Sequence, residues 1–150
     1  MTDDVRWLAA DEQRAWRAWL DAHAKLSARL NRELQASSGL SLSDYDVLVH
    51  LTDVPEGRLR AFELGEGLQW EKSRVSRQVA RMAERGLVER EASPEDGRGS
   101  ILSITASGRT HLKRLRARKT AYLARRLDKL GAEDRRTLER AAELLEGMLE

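Results

Sequence analysis

The sequence contains no cysteine among its 150 residues. That absence excludes disulfides, thiolate metal sites, a cysteine nucleophile and sensing by thiol oxidation. Proline is scarce, with only Pro55 and Pro94 available to interrupt helices. No apolar run approaches the roughly 20 residues that span a bilayer. The first residues, Met1-Thr-Asp-Asp4, lack the basic start and apolar middle of a signal peptide. The cytoplasm is the expected compartment. A strong charge of one sign is missing as well: the formal net charge is +2, which permits a polyanionic partner without requiring one. What is abundant is charge of both signs, 35% of residues, beside 41% hydrophobic residues. This length and composition fit one domain with a real core, or a small domain with an oligomerisation arm.

Hydrophobic spacing organises the chain. Trp16, Trp19, Leu20, His23, Leu26, Leu30 and Leu34 recur three and four apart, predicting a helix over 11–37 that Gly39 can close. A second helix is expected from the capping candidates Ser41 and Ser43 to a stop before Pro55. A short helix follows over 59–65, then a break at Gly67-Leu-Gln69, then a stronger helix over 71–85 with core positions Val75, Val79 and Met82 and no good N-cap. The period then changes. Residues 87–92 and 100–105 read as two strands joined by a turn-rich hairpin in which Asp96-Gly97 suits positive φ. A long helix ending at Gly131 and a last helix over 133–149 complete the chain, the latter with Leu138, Ala141, Ala142, Leu145 and Leu149 on one face. There is no internal repeat and no low-complexity linker.

Short helix, tight break, longer helix and hairpin is the winged helix-turn-helix order. In that architecture the second helix keeps one side in the core and offers a polar edge to the DNA major groove. On a helical wheel, Ser73, Arg74, Arg77, Gln78 and Arg81 fall on an arc beside the one holding Val75, Val79 and Met82. Arginine can bond bidentately to guanine, glutamine to adenine, and serine to a base or a phosphate. Lys72, Arg85 and Arg90 flank them as phosphate contacts. Over 71–85, Lys72, Arg74, Arg77, Arg81 and Arg85 against Glu71 and Glu84 leave an excess of +3. An excess that small also suits a solvated helix face; the hairpin immediately downstream is what favours a reading head.

Three segments in this order, Leu68 to Arg90, Asp96-Gly-Arg98 and Leu102-Ser-Ile-Thr-Ala-Ser-Gly108, resemble the MarR family of bacterial repressors. The specific elements are Arg-Gly-Leu-Val-x-Arg at the helix exit, Asp-x-Arg in the hairpin, and Leu-x-Ile-Thr-x-x-Gly after the second strand. The resemblance implies a mainly α (α+β) fold. A winged helix-turn-helix DNA-binding domain over 38–106 lies between helices at 1–37 and 107–150 that form a dimerisation region. It further implies that Ser73, Arg74, Ser76, Arg77 and Gln78 face the major groove. Arg98 would enter the minor groove, held by a salt bridge from Asp96. A narrow A·T-rich minor groove favours an inserted arginine on electrostatic grounds; Asp96 can equally be a plain turn residue.

The apolar stripes of the first and last helices need a partner surface, which suggests a two-fold homodimer on a palindromic site. The family often binds small anionic or aromatic effectors where the dimer helices meet the winged domain. Candidate lining residues are Trp16, Trp19, His23, Tyr45, Asp46 and His50, with plain core or dimer packing as the alternative for the tryptophans. His23, His50 and His111 are too scattered for a metal site. No catalytic triad spacing, phosphate loop, dinucleotide glycine pattern or paired carboxylates stand out, so neither an enzyme nor a cofactor is expected. The remaining rival is a helical interaction bundle whose basic stripe is merely solvated.

Overall fold

A computed structural model of the chain describes residues 4–92 and 99–150. Helix α1 (Ala10–Ser38) opens with Asp11 and Glu12 in its first turn, where negative charge meets the positive end of the helix dipole. The Glu12 carboxylate accepts from the Ala9 N–H at 3.0 Å. This contact and the neighbouring Arg6 hold its carboxyl below the usual value. Gly39 ends the helix at φ +73°, returning its N–H to the Gln35 carbonyl. Helix α2 (Leu42–Thr52) has a reciprocal cap: the Ser41 hydroxyl accepts from the Asp44 N–H, and the Asp44 carboxylate accepts from the Ser41 N–H at 2.8 Å.

A turn over Pro55–Gly57, with positive φ at Glu56 and Gly57, leads into strand β1 (Arg58–Arg60). Helix α3 (Ala61–Leu68) follows, then α4 (Lys72–Glu84), strands β2 (Val88–Ala92) and β3 (Ser100–Ile104), and helices α5 (Ala106–Leu127) and α6 (Ala132–Gly147). The sheet is antiparallel with order β1-β3-β2, and Leu102 lies opposite both Leu59 and Arg90.

Two expected boundaries are corrected. The helix anticipated over 59–65 is displaced to 61–68, because Arg58–Arg60 pairs with β3; three residues cannot announce a long-range pairing on their own. The long helix stops at Leu127 rather than at Gly131, and residues 128–130 continue as tighter turns with i→i−3 bonds from Lys129 and Leu130. Its start is set by Thr105, whose hydroxyl accepts from the Gly108 N–H at 2.9 Å.

The core is shared by all the central elements, with Leu34, Leu48, Leu64, Met82, Leu102 and Leu115 fully buried. Helix α1 enters it only through Leu30 and Leu34 at its C-terminal end. Its N-terminal half stays exposed, and α6 buries no residue at all. Leu138 and Met148, for example, are 55% and 66% exposed. Among the described residues no helix is long and apolar enough to cross a membrane.

Candidate nucleic-acid interface

Helix α4 is tethered on one side by Val75, Val79 and Met82, all buried as their spacing predicts. The α3–α4 turn that sets its angle is built from Gln69, at φ +58°, and a bond from the Trp70 N–H to the Gly65 carbonyl at 2.9 Å. A Cβ at Gly65 would lie only 3.1 Å from the Trp70 carbonyl oxygen, so the glycine permits the tight crossing. No side chain caps α4. Lys72, Ser73, Arg74, Ser76, Arg77 and Arg81 are all exposed along its outer face. The Arg74 guanidinium lies 4.0 Å from the Trp70 ring centroid, an aromatic shelf that orders the first turn.

Gln78 is the exception, and the wheel that grouped it with the exposed arginines is corrected. It is 5% exposed, and its Nε2 donates to Asp44 Oδ1 at 2.5 Å. A hundred-degree wheel resolves faces to about one residue, and Gln78 sits where the polar arc meets the core. The buried Asp44 carboxylate, a polar partner on α2, draws it inward. Its side chain is therefore not on the exposed face of α4. Arg85, expected as a phosphate contact, also turns toward the protein. Its Nη2 donates to the Gly39 carbonyl at 3.0 Å, and its Nη1 lies 3.5 Å from Asp44 Oδ2.

Between α3, the start of α4 and the sheet lies a cleft of about 700 Å³, lined among others by Phe62, Trp70, Lys72, Ser76, Arg90 and Leu102. Arg90 of β2 thus faces the same side of the molecule as the first turns of α4. Asp96 and Arg98 lie outside the described residues.

The six effector candidates fall into two separate groups. Trp16, Trp19 and His23 stack along α1, with ring centroids 5.4 Å and 5.2 Å apart. Trp16 and Trp19 line an open apolar groove of about 650 Å³ whose other wall is Leu144 and Leu145 of α6, with Met148 just beyond its end. Tyr45, Asp46 and His50 share α2 and do not line that groove. The His50 ring donates from Nδ1 to the Asp46 carbonyl at 3.1 Å and packs against Gly67. Burial pushes the Asp46 carboxyl above its usual value, against the pull of Lys119, His50 and Arg74. Lys119 of α5 also sits 4.3 Å from the Tyr45 ring centroid.

Asp44, Trp70 and Lys119 were missed as site residues by sequence reasoning. Asp44 had a signal, as the acidic residue three after a serine that marks a capping box. Lys119 offered a fainter one, since α5 carries eight Lys or Arg residues and no Asp or Glu.

Three helices around a three-stranded sheet, a recognition-type helix with a basic outer face, and a β2–β3 hairpin define a winged helix-turn-helix regulator. Residues 38–99 match the MarR family. The chain is 32% identical to an uncharacterised HTH-type transcriptional regulator of Mycobacterium bovis, over 84% of this chain and 94% of that one. Among solved structures it is similar to AbsC, a MarR family transcriptional regulator from Streptomyces coelicolor. That match has a TM-score of 0.82 and 33% identity, and covers 97% of this chain and 98% of the other. It is also similar to Sco3205 from the same organism, a MarR family regulator solved in complex with DNA. Here the TM-score is 0.85 and the identity 33%, over 97% and 92% of the two chains. The chain belongs to the MarR family of transcriptional regulators, a family of DNA-binding proteins rather than enzymes.

Proposed function

We propose that the chain acts in the cytoplasm as a homodimeric repressor that binds a palindromic operator in double-stranded DNA. The observation that carries this reading is the outer face of α4, where Ser73, Arg74, Ser76, Arg77 and Arg81 are exposed while three apolar residues anchor the opposite side. In this reading Lys72 and Arg90 neutralise phosphates and Arg77 reads a base edge. From the sequence pattern alone, Arg98 enters the minor groove with support from Asp96. The head is assigned to 38–106, and the ends, 1–37 and 107–150, to dimerisation. The exposed tryptophans of α1 and leucines of α6 supply an apolar surface for that purpose. The solved DNA complex of Sco3205 supports duplex DNA as the partner. A small effector that alters the spacing of two heads would release the operator; Tyr45, Asp46 and Lys119 offer it an aromatic face and charges of both signs.

Mobility shifts on genomic duplex fragments across a salt series test this reading. Specific binding that weakens steeply with salt is expected, and no binding to any fragment at low salt refutes it. Arg77→Ala should cost about 1–3 kcal/mol and relax choice at one base pair. A loss uniform across sequences would show that Arg77 touches only phosphate.

A further inference from the structure

The two buried polar side chains among the described residues, Asp44 and Gln78, are bonded to each other across the α2–α4 contact. A buried amide and a buried carboxylate are both costly unless partnered. A carboxylate can only accept hydrogen bonds, so the Gln78 amide must turn Nε2 toward Asp44. That leaves Oε1 facing the exposed side of α4, where it accepts from Arg81 Nη2 at 2.8 Å. The direction of the amide is thus dictated by the carboxylate. Asp44 is itself held, because its Oδ2 accepts from the Ser41 N–H at 2.8 Å and lies 3.5 Å from Arg85 Nη1.

We propose that Gln78 is a positioning residue for DNA recognition: with Asp44 it forms a buried relay that fixes the direction in which Arg81 is presented to the duplex. The proposal rests on the operator-binding reading above. Arg81 lies on the exposed face one turn beyond Arg77, and among the described residues its side chain has this single hydrogen-bond partner. Its other N–H groups are left for DNA. A free arginine loses rotamer freedom when it grips a ligand, and holding it beforehand removes part of that loss. Arg85 differs, because its guanidinium is already committed to Gly39 and Asp44. The relay therefore serves one arginine. It also makes operator affinity depend on a residue of α2 that touches no DNA.

The test uses the full chain and a duplex that the unmodified chain enriches from a random-sequence pool, with affinity read by mobility shift at fixed salt. Arg81→Ala and Gln78→Leu should each weaken binding, by roughly five- to a hundredfold. The double variant should bind no more weakly than Arg81→Ala alone, because Gln78 acts through Arg81. A purely structural role for Gln78 predicts additive losses instead. Gln78→Glu alone sets two carboxylates face to face and should weaken binding. Combining it with Asp44→Asn restores a donor to the pair and leaves an acceptor for Arg81, so affinity should return to within about threefold of the unmodified chain. Thermal melts of each variant keep misfolding separate from lost positioning. An additive cycle overturns the relay, as does failure of the swapped pair to recover affinity when its melt matches the unmodified chain. A chain that enriches no sequence from the pool refutes the DNA-binding reading itself, and the relay with it.

Discussion

Gly108 stands where the sheet hands over to α5, and replacing it with alanine should loosen that joint measurably. The residue occupies the third position of the helix, donating its N–H to the Thr105 hydroxyl at 2.9 Å. Thr105 in turn donates from its N–H to the Leu87 carbonyl oxygen at 3.1 Å and from its hydroxyl to the Gly86 carbonyl oxygen at 2.6 Å. The helix start is thereby pressed against the strand that leaves α4. A Cβ at position 108 would overlap the Leu87 carbonyl oxygen and lie 2.8 Å from Ile104 Cγ1. The obstacle is backbone rather than the end of a flexible side chain, so α5 must back away. Overpacking of this kind costs ~1–3 kcal/mol. Stretching the Thr105 bonds to Gly86 and Leu87 adds about 1 kcal/mol, and the better helix propensity of alanine returns about 1 kcal/mol. The net is roughly 2 kcal/mol, a fall of about 4–8 °C in Tm for a chain of this size. Thermal unfolding followed by circular dichroism, at matched protein concentration, reads it. Gly147→Ala is the control, because nothing lies within 4 Å of a Cβ there; at the last position of α6 it should leave stability unchanged or raise it by up to about 1 kcal/mol. Equal melting of Gly108→Ala and the unmodified chain would refute the close-approach argument.

Three further outcomes are expected. Ser41→Ala removes the hydroxyl that caps α2 and should cost about 1 kcal/mol, seen as a lower denaturant midpoint at unchanged m-value; an unchanged midpoint would show that water replaces the cap. Folding raises the Asp46 carboxyl above its ordinary value of 3.8, chiefly through burial. The native state therefore holds that proton more tightly, and the ionised carboxyl is a cost at neutral pH. Asp46→Asn should raise stability at pH 7, with the advantage shrinking as pH falls through the raised value toward 3.8; an advantage that grows on acidification contradicts the sign. Leu144→Glu, on the groove between α1 and α6, should shift a dimer toward monomer in sedimentation velocity, and an unchanged sedimentation coefficient would remove that groove from the interface.

How much was legible in the sequence follows from the range of the interactions involved. Helix positions came from local periodicity, and Val75, Val79 and Met82 were found as core because three residues of one helix carry their own pattern. The Ser41 cap was legible for the same reason, since donor and acceptor lie three residues apart. Strand β1 was not, because its evidence lies 41 to 45 residues away in the partner strand, where Arg58 meets Ser103 and Arg60 meets Ile101. Gln78 failed in the same way. Nothing in 71–85 says that a carboxylate from α2, 34 residues earlier, is buried beside it. The Leu-x-Ile-Thr-x-x-Gly pattern was visible as a motif, but only the geometry gives its reason. Thr105 caps α5 while bonding back to the α4–β2 turn, and Gly108 lets the two backbones touch.

The same geometry bears on how the outer helices can influence α4. Helix α1 has 29 residues, about 43 Å at 1.5 Å per residue. Its C-terminal end is fixed in the core by Leu30 and Leu34, and its cap residue Gly39 accepts from Arg85 at the end of α4. Its other end carries Trp16 and Trp19 against α6, in a groove that one chain leaves open. On the dimer proposed above, closing that groove would bury exposed apolar surface and tie folding stability to protein concentration. Melting temperature should then rise with concentration. A helix anchored at both ends transmits a shift at one end to the other, because packed interiors yield by repacking rather than by stretching. The carboxylate of Asp44 stands at the receiving end. It joins the first turn of α2 to Gln78 and Arg85, so a displacement of the α1–α2 corner would reach Arg81 through two hydrogen bonds. Removing the Arg85 bonds to Gly39 and Asp44 by Arg85→Met would cut one of the two links between the corner and α4 while leaving the Asp44–Gln78 pair in place. Any effector that acts through the outer helices should then lose part of its hold on DNA affinity, and an effector response unchanged in Arg85→Met would place the coupling elsewhere.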